Sequence, residues 1–276
     1  MNNKIIRYIL SKILYIEAGF LLLPIIVSLI YKEDSINILS FLATIFLLLL
    51  SGFVLGYKSD SNGEFYEKEG FIIVSISWIL LSAFGALPFV FSGSISSFID
   101  AFFETSSGFT TTGASIIPDV EALTHSMLFW RSFTHLIGGM GILVFALAIL
   151  PRSNRNSHIM KAEVPGPIFG KIVAKMSYTA RLLYKIYFAM TAILIIVLIL
   201  VGHPIFDSFV HACGAAGTGG FGIKANSIAY YNSPTVEMIL AIAMIIFGIN
   251  FNLFYVILIG KAREGLKSEE LRWYLL

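Results

Sequence analysis

The chain has 276 residues, of which 57% are hydrophobic and 13% charged, with a formal net charge of +2 and a mean hydropathy of +0.84. So apolar a composition excludes a soluble globular domain and indicates several membrane-spanning helices, each needing about 20 residues to cross a bilayer. A single cysteine, Cys213, excludes an internal disulfide framework, and no Cys/His spacing suggests zinc. Cys213 reads as a small apolar packing residue.

Lys4, Arg7 and Lys12 precede an apolar run that extends to Tyr31 without a small-residue cleavage site, so a retained helix is expected instead of a cleaved signal. Hydropathy predicts six spans, over 8–31, 36–57, 70–92, 124–150, 183–202 and 235–260. Two more apolar segments, 96–108 and 204–216, suit half-membrane helices that enter and leave on one side.

With the N-terminus inside, the inner pieces hold Lys4, Arg7, Lys12, Lys58, Lys68, Arg152, Arg155, Lys161, Lys171, Lys175, Arg181, Lys185, Lys261, Arg263, Lys267 and Arg272. These are 16 of the 19 Lys and Arg; Lys32, Arg131 and Lys224 fall on the other side or near a span's outer end. The positive-inside rule thus predicts both termini in the cytoplasm. The basic linker 151–182, interrupted by PGP at Pro165–Pro167, reads as a solvated connection or as a docking surface for a cytoplasmic partner or anionic lipid.

An internal repeat organises the centre of the chain. Shifting by 107 residues lays DAFFETSSGFTTTGAS (Asp100–Ser115) on DSFVHACGAAGTGGFG (Asp207–Gly222), aligning Asp100 with Asp207, Phe102 with Phe209, Thr111 with Thr218 and Gly113 with Gly220. Each copy has the order helix, short helix, Gly/Thr loop, helix. Non-helical backbone at membrane depth must be buried in protein or line water. A half-helix aims the negative end of its dipole at the membrane centre, and a loop beyond it can offer carbonyls to a dehydrated cation. Glycine permits the torsions required, and threonine stiffens the extended form. Cation selection is the chemistry indicated. No HExxH, Walker A or nucleophile–base pair points to an enzyme.

Elsewhere, Ser97 and Asp100 resemble a capping box, and Pro204 with Asp207 reads as a first helical turn; attraction of cations to an outer mouth is the alternative for both acids. Gly138, Gly139 and Gly141 read as close packing against a loop, with a gating hinge as the alternative. Arg131 is expected to snorkel or pair locally. His135 and His211 read as packing and hydrogen-bonding residues, with proton coupling as the alternative. Asn250 and Asn252 should line a cavity or bond a neighbouring helix.

FETSSGFTTTGAS, GTGGFG (Gly217–Gly222) and WRSFTHLIGGMGILVFALAILP (Trp130–Pro151) resemble the first pore loop, the second pore loop and the first inner helix of the Trk/Ktr/HKT superfamily of potassium transporters, TrkH-type. That resemblance implies an all-α membrane protein with a K+-channel-like plan. An N-terminal transmembrane pair (1–69) precedes a first helix–pore loop–helix repeat (70–150), the basic cytoplasmic linker (151–182), a second repeat (183–260) and a tail (261–276). The closing SEELRWYL resembles the connection into a third repeat. The family builds its pore from four such units in one chain, so this chain is expected to be the N-terminal part of a longer protein, or else to associate with a second copy as a homodimer.

By the same resemblance, Thr111, Thr112, Thr218 and Gly219 bind potassium, and Thr110, Gly113, Ala114, Gly217, Gly220 and Phe221 complete the filter. The function implied is potassium uptake across the bacterial cytoplasmic membrane, with a truncated or accessory non-conducting subunit as the alternative. K+ is the transported ion, and no cofactor is expected in the chain. A TrkA-type cytoplasmic nucleotide-binding regulatory subunit and membrane lipids are the expected partners; nucleic acid is not.

Overall fold

In α1 (Asn3–Phe20), Ile6, Ile9, Leu10, Ile13 and Leu14 recur at helical spacing and are buried on one face. This helix opens a computed structural model that describes residues 3–59, 67–141, 176–261, 265 and 267–276. A turn at Leu21 joins α1 to α2 (Leu22–Ile30), whose first turn accepts Pro24 because its missing N–H would have no partner there. The chain returns as α3 (Ser35–Gly56). Arg7 locks the hairpin by donating to the carbonyls of Val54, Leu55 and Tyr57 at 3.0, 3.2 and 3.1 Å, supplying partners that the end of α3 lacks. Ser11 Oγ donates to Gly52 O at 2.7 Å lower in the same seam.

Next come α4 (Glu67–Phe91), α5 (Phe98–Phe109) and α6 (His125–Gly139). Beyond residue 175 follow α7 (Met176–Leu200), α8 (Ile205–Ala216), α9 (Pro234–Phe247), α10 (Phe251–Val256) and α11 (Glu269–Leu275). All regular structure among the described residues is helical. The hairpin packs on α4; α4 carries α5, α5 packs on α6, and α6 on α8, which also meets α7 and α9. Among the described residues, four helical stretches are long and apolar enough to cross a membrane: Asn3–Ile30 (α1 with α2), Ser35–Gly56, Lys68–Phe91 and Ala180–Leu200. Their outward faces expose large apolar side chains such as Phe46, Phe53, Ile79 and Ile193, which suits a lipid environment.

Both short apolar segments are helices of 12 residues, roughly 18 Å long and hence about half the thickness of a bilayer's hydrocarbon core. Two of the six expected spans differ from the reading. Within the fourth, α6 ends at Gly139, and Gly141 adopts φ +71 with its N–H bonded to Gly138 O at 2.8 Å. The glycines therefore stop the helix where continuous helix was expected. Residues 142–150 of that span, and the basic linker up to 175, lie outside the described residues. The sixth is interrupted after Phe247, where Asn250 Oδ1 accepts the N–H of Asn252 at 3.0 Å and starts α10 afresh. Asn250 Nδ2 also donates to Glu270 at 3.2 Å, so it bonds a neighbouring helix as expected.

Candidate ion-coordinating site

The C-termini of α5 and α8 are built alike. After α5, the N–H groups of Thr110, Thr111 and Thr112 bond to the carbonyls of Ser106, Gly108 and Ser107. After α8, the N–H groups of Gly217, Thr218 and Gly219 bond to those of Cys213, Ala215 and Gly214, the same pattern 107 positions on. This doubled closure needs one residue in the left-handed region, a place usually taken by glycine. Here Thr111 (φ +55) and Thr218 (φ +57) occupy it. Gly113 (φ +77) and Gly220 (φ +75) follow two residues later in each loop. A β-branched residue at positive φ is an outlier costing about 1–3 kcal/mol, which the surrounding packing must offset. That it occurs twice, at equivalent positions, ties the repeat seen in sequence to a shared backbone shape.

The two loops touch. A Cβ on Gly113 would run into Gly219 O, so Gly113, expected to complete the filter, stands against Gly219, expected to bind the ion. Thr110, Thr112, Ala114, Thr218 and Gly220 are exposed, Thr111, Gly113 and Gly219 are partly exposed, and Gly217 and Phe221 are buried. Thr110 and Thr112 share a hydroxyl hydrogen bond of 2.8 Å, and Thr110 Oγ1 donates to Ser106 O at 2.7 Å.

Helix α6 passes behind both loops and fits only because it is stripped of side chains there. A Cβ on Gly138 would meet Phe109 O and, at 3.0 Å, Thr111 Cγ2; one on Gly139 would come within 2.7 Å of Gly217 Cα. The close-packing reading of Gly138 and Gly139 is therefore what the structure contains. His135 is fully buried, stacked 4.1 Å from the Phe221 ring.

Arg131 does not snorkel. It is 4% exposed, and its Nε donates to Glu104 Oε1 at 2.5 Å while Nη1 donates to Gly222 O at 2.8 Å. Its guanidinium lies 3.6 Å from the Phe221 ring centroid. Glu104, 1% exposed, also accepts from Ser115 Oγ at 3.0 Å and from the N–H of Ile116 at 2.9 Å. One ion pair thus ties α5 to α6, to the far end of the first loop and to the exit of the second. Glu104 was not singled out from the sequence. Its signal was present: a carboxylate in the middle of an apolar half-helix, with a lone arginine in a nearby span, since buried intramembrane charges occur in pairs.

The acids at the starts of α5 and α8 differ. Ser97 Oγ accepts the N–H of Asp100 at 3.4 Å, half of the capping box expected. Asp207 sits in the first turn of α8, but its carboxylate takes the Tyr231 hydroxyl at 2.6 Å. His211 hydrogen-bonds His203 through ring nitrogens 3.0 Å apart, a partner its sequence position did not reveal. Beyond the two loops, Lys224 Nζ donates to Glu121 Oε2 at 2.9 Å, joining the stretches that follow them. That hydrogen bond, with a second from the Ala225 N–H, holds the Glu121 carboxyl below its ordinary range, while Glu121 raises the Lys224 ammonium.

A family model described as "TrkH: Cation transport protein" matches residues 37–271. This chain belongs to the TrkH cation transport protein family. Among relatives in that family, Trk system potassium uptake protein TrkH of Salmonella typhimurium is 36% identical over 266 residues, covering 95% of this chain and 55% of the relative. Trk system potassium uptake protein TrkG of Escherichia coli is 32% identical over 278 residues, covering 99% and 57%. The crystal structure of the potassium transporter TrkH from Vibrio parahaemolyticus matches with a TM-score of 0.77 and 31% identity, over 92% of this chain and 51% of that one. The chain spans about half the length of the TrkH relatives it matches. It is an all-α integral membrane protein of a cation-transporting family.

Proposed function

We propose that this chain takes part in potassium uptake across the bacterial cytoplasmic membrane, as membrane subunit of a Trk-type system, and that it supplies half of a selectivity filter. The observation that carries the reading is the pair of touching loops with matching left-handed residues at Thr111 and Thr218. Thr111, Thr112, Thr218 and Gly219 supply the oxygens that replace the ion's water shell. Thr110, Gly113, Ala114, Gly217, Gly220 and Phe221 hold those oxygens in place, Phe221 through its buried ring. Residues 70–150 and 183–260 act as two helix–pore loop–helix repeats after an N-terminal pair (1–69), joined by the linker 151–182 and followed by the tail 261–276.

Supporting the orientation, with both termini cytoplasmic, is the concentration of 16 of 19 Lys and Arg in the inner segments. The Trk-system relatives favour a TrkA-type nucleotide-binding regulatory subunit on that side. A second copy of the chain completes a homodimer, with lipid at the exposed apolar faces. K+ is cargo here, and transport makes or breaks no covalent bond. The test is growth at low potassium in a bacterial strain lacking its own uptake systems. Rescue by the protein, abolished or broadened to sodium by changing Thr111–Gly113, is expected. Rescue that is indifferent to those changes would overturn the filter assignment, and no potassium flux at all would overturn the function.

A further inference from the structure

We propose that His135 is a specificity-determining residue, acting as the rear wall of the second loop; this rests on reading Thr218–Gly220 as filter. The imidazole is fully buried, and neither ring nitrogen has a hydrogen-bond partner among the described residues. A buried polar ring without such partners needs another reason to be there. Its position supplies one. A Cβ on Gly219 would fall within 2.6 Å of His135 Cδ2 and Cε1, so the ring is seated directly against the backbone of a residue proposed to bind the ion. Two residues earlier in the loop, a Cβ on Gly217 would meet His135's own backbone, at 2.8 Å from its carbonyl carbon. On its other side the ring stacks on Phe221, which lies under the Arg131 guanidinium.

The imidazole therefore works by volume and stacking. Discrimination between potassium and sodium requires carbonyls held at a spacing that fits the larger, more easily dehydrated ion. Gly219 has no side chain to brace itself, and its own φ is not in the left-handed region, so its absence of Cβ serves the ring behind it. Remove the ring and the loop can retreat from the ion path.

The experiment measures 86Rb+ and 22Na+ uptake by the protein in vesicles, with elution from a sizing column to show that each variant is folded. His135→Ala should lower the potassium-like over sodium preference by about tenfold or more, with rubidium standing in for potassium. Gly219→Ala should abolish flux, because the methyl and the ring claim the same space. The double variant His135→Ala/Gly219→Ala should regain flux relative to Gly219→Ala, since each change makes room for the other. Should His135→Ala alone fail to fold, the double variant still decides. Unchanged selectivity in folded His135→Ala, or a double variant no better than Gly219→Ala, would overturn the proposal. Loss of rubidium selectivity in the unaltered protein would instead overturn the filter reading on which it rests.

Discussion

Arg131 and Glu104 form a buried ion pair of 2.5 Å that joins α6 to α5 behind the two loops. Removing one member of such a pair strands the other charge away from water, at about 3–5 kcal/mol, whereas replacing both by apolar groups can be nearly neutral. Glu104→Leu and Arg131→Met should each lower the thermal midpoint in detergent, and Glu104→Leu/Arg131→Met should fall by less than the sum of the single changes. Additive losses would show that the two side chains act independently.

Thr111 holds a torsion that glycine adopts freely. Thr111→Gly should raise stability by about 1 kcal/mol through relief of that strain, less the added freedom of the unfolded chain. It should also lower potassium uptake, since a hydroxyl is lost and the loop is looser. A thermal midpoint that drops instead would mean the threonine is held without strain. Thr218→Gly should behave in the same way.

Gly138 and Gly19 make a matched contrast. A methyl at Gly138 collides with Phe109 O, while one at Gly19 meets nothing within 4 Å. Gly138→Ala should destabilise by about 1–3 kcal/mol by overpacking. Gly19→Ala, on a helix with open space beside it, should be neutral or stabilising by up to about 1 kcal/mol. Calorimetry in the same detergent compares them.

Glu33 acts as an N-cap borrowed from a distant part of the chain. Its Oε1 accepts the N–H of Ser126 at 2.9 Å and its Oε2 accepts the Ser126 hydroxyl at 2.5 Å, fastening the N-terminal hairpin to the start of α6. Loss of a cap costs roughly 0.5–2 kcal/mol. Glu33→Ala should show a loss of that size by thermal melting, together with faster hydrogen exchange in the first turn of α6. Exchange unchanged there would show that the cap is redundant.

The Glu121–Lys224 bridge carries a definite pH sign. Glu121 is held low, so its contribution is present above the ordinary carboxylate range and is lost as pH falls through its depressed value. Lys224 is held high, so its share is present below the ordinary lysine value and is lost as pH rises through the raised one. The gap in thermal midpoint between the protein and Lys224→Met should be small, constant around neutrality, reduced by salt, and closed in acid. A gap that widens in acid contradicts this assignment.

Much of this molecule is legible along the chain because membrane helices obey a local rule: apolar length sets the span. The ranges 36–57, 70–92 and 183–202 correspond closely to Ser35–Gly56, Glu67–Phe91 and Met176–Leu200, and the two short segments to α5 and α8. The rule fails where a break is made by glycine or by a side chain instead of by polarity. At Gly139–Gly141 and at Gly248–Asn250 the helix breaks inside an apolar stretch.

Composition, charge bias and the repeat 107 residues apart determined the class of protein, the number of loops and which residues stand in them. Those features depend on residues near one another in sequence, or on a simple shift. Only the tertiary structure decided that Glu104 answers Arg131, that Glu33 caps α6, that His203 meets His211 and that His135 backs Gly219. Apart from the His203–His211 pair, whose members stand only eight positions apart, these contacts join α6 to elements whose separation in sequence sets no distance between them. Burial away from water makes Arg131 and Glu104 partners, and Gly138, Gly139 and Gly219 stand where a neighbour has taken the space.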